Sequence, residues 1–378
     1  MRITGVRGIA FEGAIIDSHM HLGLWGKNGN SNEFINFDSK FVDAFVKSPL
    51  EVTVQGAKQE DSVEKVILSN LDCFVKNGLK DEITGNKEML AACEKNPKFF
   101  ALAACQPSKT GGNAVNINKL LQENPDKFIG LKFHPRTFNL AADNDAYKSY
   151  MKIAERHKLP CVFHSDVKID DAGNLVDEIS SPKAIYKMAR KFPEVPVVMA
   201  HMGAGDAKSH QHAIDILLES VKNNDAKLYV DLSWVNWGKD GLSSGEKPSV
   251  VKLIQELQKH NATERILFGT DAPLGCFGED LKGGLSAKQA YEKAVGDLKT
   301  VIKENFKENA DELINKIFYK NADSLFFKKE WATPKEHIIK STPMLKIAAG
   351  VGAVLAALAG VSYLTEKLIP EKDPRFDK

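Results

Sequence analysis

Apolar residues gather in eight short runs along the chain, at about 14–17, 63–69, 99–105, 128–133, 161–164, 197–201, 228–232 and 266–270, each bounded by polar, Gly or Pro positions. Their content of Val, Ile, Leu and Phe and their length predict strands. Between most of them the apolar positions recur at helical spacing, as in 144–158, 181–191, 210–222 and 249–259. Continuous apolar strands alternating with helices predict a parallel sheet covered on both faces, and eight such units predict a closed (β/α)8 TIM barrel of the α/β class. An open doubly wound sheet is the competing architecture. The barrel is favoured because candidate ligands fall at the C-terminal ends of several different strands, where a barrel builds its site.

Those ligands begin with AIIDSHMHLG, in which His19 and His21 follow an apolar run. Side chains two apart on a strand share a face, so both imidazoles can reach one ion. Neutral imidazole is the commonest metal ligand, although the pair alone is equally explained by strand-end histidines that satisfy backbone groups. The pattern recurs in LPCVFHSD at His164, VPVVMAHMG at His201 and RILFGTDAP at Asp271, and four such strand ends predict one site. GLKFHPR sets Lys132 and His134 on one face of the fourth strand, with Arg136 just beyond it as a candidate clamp for a substrate carboxylate.

Composition narrows the class. A formal net charge of +1 gives no electrostatic reason to expect nucleic acid, and no nucleic-acid-binding signature is present. The five cysteines, at 73, 93, 105, 161 and 276, form no C-x-x-C pair and fall mostly in apolar runs, as expected of buried thiols in a reducing compartment. MRITGVRGIAFEG lacks the apolar core of a signal peptide, which places the catalytic domain in the cytoplasm.

IDSHMH, GLKFHP, VFHSD, MAHMG and LFGTDAP, in this order and on this strand schedule, resemble the amidohydrolase superfamily, and most closely the branch called amidohydrolase family 2, which includes aminocarboxymuconate-semialdehyde decarboxylase. The resemblance spans roughly 12–327, and NADSLFF near its end is similar to the closing helix of these proteins. It implies that His19, His21, His164 and Asp271 are metal ligands, with His201 as acid/base beside the metal and Asp271 also accepting a proton. Three imidazoles and a carboxylate suit one divalent ion, Zn²⁺ first and Mn²⁺ second, with a position left for water. Binuclear relatives carboxylate the fourth-strand lysine to bridge two ions; the preferred expectation is an uncarboxylated Lys132 with His134 as polar wall. The implied activity is metal-dependent hydrolysis of an amide, ester or lactone-like bond in a small molecule. Non-oxidative decarboxylation of a small unsaturated or aromatic carboxylic acid is the alternative, and a non-catalytic membrane-tethered scaffold a weaker one. A homo-oligomer is a further expectation.

Three long loops follow strands. Trp25 opens WGKNGNSNEF, ahead of a helix-like stretch at 41–46; Trp234 and Trp237 lie in WVNWGKDGLSSGEKPS, and Phe277 in APLGCFGEDLKGG. Together they predict an aromatic-walled mouth, with Trp25 and Trp234 as substrate contacts. The expected domains are a barrel over 1–329, a basic linker over 330–346, a hydrophobic helix over 347–365 and a polar tail over 366–378. The run 347–365 has 19 residues without a charge, preceded by Lys328, Lys329, Lys335, Lys340 and Lys346. A span needs about 20 apolar residues, and lysines on its N-terminal side would keep the barrel on the cytoplasmic face, so a single-pass membrane tether is expected.

Overall fold

The computed structural model describes residues 13–26, 34–74, 80–107, 114–233, 246–273 and 285–331. The chain divides into two units, Met1–Pro334 and Lys335–Lys378, and every described residue belongs to the first. Eight parallel strands carry the fold: β1 (Ala14–Gly26), β2 (Ala57–Asn70), β3 (Phe99–Ala104), β4 (Phe128–Phe133), β5 (Cys161–Phe163), β6 (Val197–Met199), β7 (Leu228–Asp231) and β8 (Ile266–Leu267). Each pairs with the next. The residues that continue β8 then return to β1: Ser18 N–H donates to Phe268 O at 3.0 Å, Asp271 N–H to His19 O at 2.8 Å and His21 N–H to Ala272 O at 2.7 Å. The sheet therefore closes, which rules out the open doubly wound alternative and makes the fold TIM-barrel-like.

One helix follows each strand: α1 (Ser39–Val46), α2 (Glu82–Lys95), α3 (Ala114–Glu123), α4 (Lys148–His157), α5 (Pro182–Lys191), α6 (Ala207–Asn223), α7 (Lys247–Lys259) and α8 (Ala287–Asn305). Their starts are locally encoded. The side chains of Asp38, Asp81, Ser181, Asp206 and Ser286 accept first-turn N–H groups that would otherwise lack partners. Added to this plan are strands Phe34–Phe37 and Leu50–Val54, antiparallel to β1 and β2, and a small hairpin, Lys168–Ile169 with Leu175–Asp177, after β5.

Two apolar layers hold the ring. Outward residues such as Leu68, Ala101, Phe133, Phe163, Met199 and Val230 pack with buried helix residues such as Met89, Met151, Ile214 and Leu253. Inside, each strand contributes one residue to a second cluster: Ile16, Ile67, Leu102, Ile129, Val162, Val198, Tyr229 and Leu267. Ala322, Leu325 and Phe326 complete that cluster from the closing helical segment, which includes π-helical stretches Lys316–Lys320 and Asp323–Lys328. This is the NADSLFF region. The apolar cluster fills the N-terminal side of the barrel and leaves the C-terminal ends of the strands for polar chemistry.

Strict alternation would not put the site residues inside. In β1 the pairing runs Asp17↔Val66 and then Met20↔Leu68, three residues against two, so a bulge turns His19 and His21 inward while Met20 packs outward. In β4, Ala101↔Phe128 is followed by Leu102↔Gly130, and this second bulge lets both Ile129 and Lys132 face the interior. A Cβ on Gly130 would sit 2.7 Å from Leu102 Cδ2 and 2.9 Å from Pro160 O, so the bulged position admits only glycine without movement.

One expectation is corrected here. Among the described residues no helix is long and apolar enough to cross a membrane, and 347–365 lies outside them. The charge-free run of 19 residues falls short of the roughly 20 apolar residues a span needs, and it is rich in Ala and Gly rather than Leu. The C-terminal hydrophobic helix, the membrane partner and the tethered location are therefore withdrawn.

Candidate metal centre and active site

Above the apolar layer, the strands end in polar side chains that face one another. His19 and His21 come from β1, Ser69 from β2, Lys132 from β4, and His164, His201, Ser233 and Asp271 from the residues following β5, β6, β7 and β8; Asp231 closes β7 itself. His19 Nε2 lies 3.2 Å from His21 Nε2, Asp271 Oδ1 lies 3.0 Å from His21 Nε2, and His19 Nε2 is 3.3 Å from Asp271 Oδ1. Ligands at about 2.0–2.1 Å from a tetrahedral ion stand about 3.3–3.4 Å apart, so these three atoms form a near-tetrahedral face. His201 adjoins them: His19, His201 and Asp271 each present a ligand atom within 4.8 Å of the others.

The partners on the outer ring nitrogens fix which lone pairs point inward. His19 Nδ1 is 2.9 Å from Asp231 Oδ2, and a carboxylate only accepts, so Nδ1 carries a proton and Nε2 turns toward the centre. His21 Nδ1 is 2.8 Å from Ser69 Oγ. Burial lowers the His21 pKa to about 4, despite the Asp271 carboxylate pulling the other way, and holds His201 well below the usual imidazole range. Burial would raise Asp271 and Asp231, but the imidazoles around them, with their hydrogen bonds, hold both carboxyls below the usual carboxylate range. The imidazoles of His21 and His201, kept neutral by burial, stand beside two buried carboxylates and form a cation site with them.

Lys132 Nζ already supplies one cation, 2.6 Å from His19 Nε2. Burial lowers its pKa to about 8 against the pull of Asp271 and Asp231. His164 joins the group through His201, its Nδ1 being 3.1 Å from His201 Nε2, and is stacked on His134 with ring centroids 3.9 Å apart. His134 in turn meets Thr137 Oγ1 at 3.0 Å, so it stands as a wall beside His164. Arg136 donates through Nε to Asp166 and through Nη1 to Asp177 at 2.6 Å, with Nη2 buried and without a hydrogen-bond partner. Most of its charge is thereby committed to the base of the hairpin that follows β5. The Trp25 side chain and all of Trp234, Trp237 and Phe277 lie outside the described residues.

Two site residues carry non-glycine backbone in the left-handed region, His201 at φ +62° and Asp271 at φ +57°. Such strain clusters where a side chain must be aimed. Sequence reasoning missed Asp231, Ser233 and Ser69. The signal for Asp231 was present, since KLYVDLS is another apolar run ending in a carboxylate, as in RILFGTD.

The family model described as Amidohydrolase matches residues 75–328. Among solved structures the chain is similar to a provisionally assigned 2-pyrone-4,6-dicarboxylic acid hydrolase of Pseudomonas putida, at 14% identity over 84% of this chain and 98% of that one, with a TM-score of 0.53. It is similar at 12% identity to a 5-carboxyvanillate decarboxylase of Novosphingobium aromaticivorans with bound manganese and a nitrobenzoic acid, over 83% and 97% of the two chains, with a TM-score of 0.52. At these identities the likeness shows the fold. No curated protein matches in sequence.

Proposed function

Since the chain belongs to the amidohydrolase family, we propose that it is a metal-dependent hydrolase acting on an amide, ester or lactone-like bond of a small molecule. The observation that carries this reading is the convergence of His19 Nε2, His21 Nε2 and Asp271 Oδ1 within 3.3 Å of one another. Those three residues and His164 would hold one divalent ion, Zn²⁺ or Mn²⁺. When bound, such an ion lowers the pKa of water from 15.7 to about 7 and polarises a carbonyl.

The chain's own groups then divide the remaining work. His201, neutral through burial, exchanges a proton through Nε2, its Nδ1 being 2.9 Å from Ser233 Oγ. Asp271 accepts a proton from the attacking water. Lys132, uncarboxylated, offers an ammonium to negative charge developing on the substrate. The second reading, decarboxylation of a small unsaturated or aromatic acid, is favoured by that same ammonium, because a cation at the centre of the site attracts a substrate carboxylate. A panel of amides, esters, lactones and aromatic acids, assayed separately for acid release and for carbon dioxide, decides between the two. Acid release supports hydrolysis; carbon dioxide alone replaces it with the second reading.

A further inference from the structure

We propose that Asp231 is a positioning residue on which both halves of this site depend, orienting His19 toward the cation and holding the His201 turn for proton transfer. The inference rests on the metal reading above. One carboxylate oxygen, Oδ2, is 2.9 Å from His19 Nδ1 and sets its tautomer. The other, Oδ1, accepts the His201 N–H at 2.9 Å, the Ser233 N–H at 3.1 Å and the Ser233 hydroxyl. With its own proton given to Asp231, Ser233 Oγ acts as acceptor for His201 Nδ1 at 2.9 Å and also lies 3.0 Å from His19 Nδ1. His201 therefore carries its proton on Nδ1, and Nε2, 3.1 Å from His164 Nδ1, is the acceptor.

The backbone at His201 needs such a hold. His201, Met202, Gly203, Ala204 and Gly205 all have positive φ, at 62°, 48°, 83°, 44° and 85°. A left-handed conformation is unfavourable for His, Met and Ala. The His201 N–H is tied to Asp231 and the Gly203 carbonyl accepts from Val167 N–H at 3.2 Å, so the turn is fixed at two points. Asp231 is only 1% exposed, so water does not replace either of its roles.

Asn at this position keeps one acceptor but presents an amide donor to either His19 Nδ1–H or the His201 N–H, so it cannot serve both. The test is Mn²⁺ titration of the full chain, read as free ion by electron paramagnetic resonance, alongside turnover. Asp231→Asn should weaken Mn²⁺ binding roughly 10–100-fold, whereas Ser233→Ala, which leaves the Asp231–His19 contact in place, should weaken Mn²⁺ binding less than Asp231→Asn does and lower kcat. Equal Mn²⁺ affinity in wild type and Asp231→Asn overturns the inference and leaves the metal reading standing. Wild type that binds neither Mn²⁺ nor Zn²⁺ overturns the metal reading and this inference with it. Should Asp231→Asn fail to fold, ¹⁵N resonances of His19 in the wild-type protein still decide: a proton on Nδ1 supports the role, and a proton on Nε2 contradicts it.

Discussion

His19, His21 and His201 each have a defined partner on Nδ1, respectively Asp231, Ser69 and Ser233, so substitutions at single residues should separate binding from chemistry. His201→Asn should keep the ion and lower turnover roughly 10²–10⁴-fold, the range for loss of a general acid/base; metal analysis beside kinetics checks it, and loss of the ion would make His201 a ligand. A residue outside the centre makes a pH prediction. Glu82 is buried, with Oε1 lacking a partner, and burial raises its pKa from 4.5 to about 7 despite hydrogen bonds from Gln106 N–H and the Tyr150 hydroxyl. A raised folded pKa favours the protonated form, so its contribution is full below pH 4.5 and is lost as pH rises through about 7. Relative to Glu82→Gln, wild type should lose about 3 kcal/mol between pH 4.5 and 8 in urea unfolding, from the size of the shift. A pH-independent difference would remove Glu82 as the cause.

At the scale of elements, what was legible in the sequence was residue chemistry at strand ends. His19, His21 and Asp271 stood out because a ligand-type side chain after an apolar run is unusual, and the structure brings all three together. The bulges in β1 and β4 were not legible, because a one-residue slip is settled by what the neighbouring strand offers and not by the strand's own pattern. Arg136 reads from sequence as a candidate clamp for a substrate carboxylate, and its ion pairs with Asp166 and Asp177, 30 and 41 residues away, are not visible there. Asp231 ends an apolar run that reads as a strand, yet its chemistry depends on His19, 212 residues distant. The β1–β8 seam offers a test of how closely packing governs the site. A Cβ on Gly269 would fall 2.9 Å from His19 Cβ, so Gly269→Ala should cost about 1–3 kcal/mol by overpacking. It should also weaken the metal site. Unchanged urea midpoint and unchanged metal affinity would mean that the seam yields without disturbing His19.

For the whole molecule, stability and function occupy different layers of one barrel: the inner apolar cluster from Ile16 to Leu267, closed by Leu325 and Phe326, lies below the polar site. The fold should therefore survive loss of the ion, and the ion should add stability by mass action, about 2.7 kcal/mol at a free concentration 100 times its dissociation constant. Thermal unfolding with and without chelator checks this, and collapse of the fold on chelation would show that the centre is structural. The most direct test of the account is metal content and turnover measured on the same preparations of wild type and His19→Ala. The account predicts about one divalent ion per wild-type chain, loss of both ion and activity in His19→Ala, and an unchanged circular dichroism spectrum. Full turnover from ion-free protein would contradict the metal-dependent reading, and two tightly held ions with carbon dioxide added to Lys132 would contradict the single-ion centre.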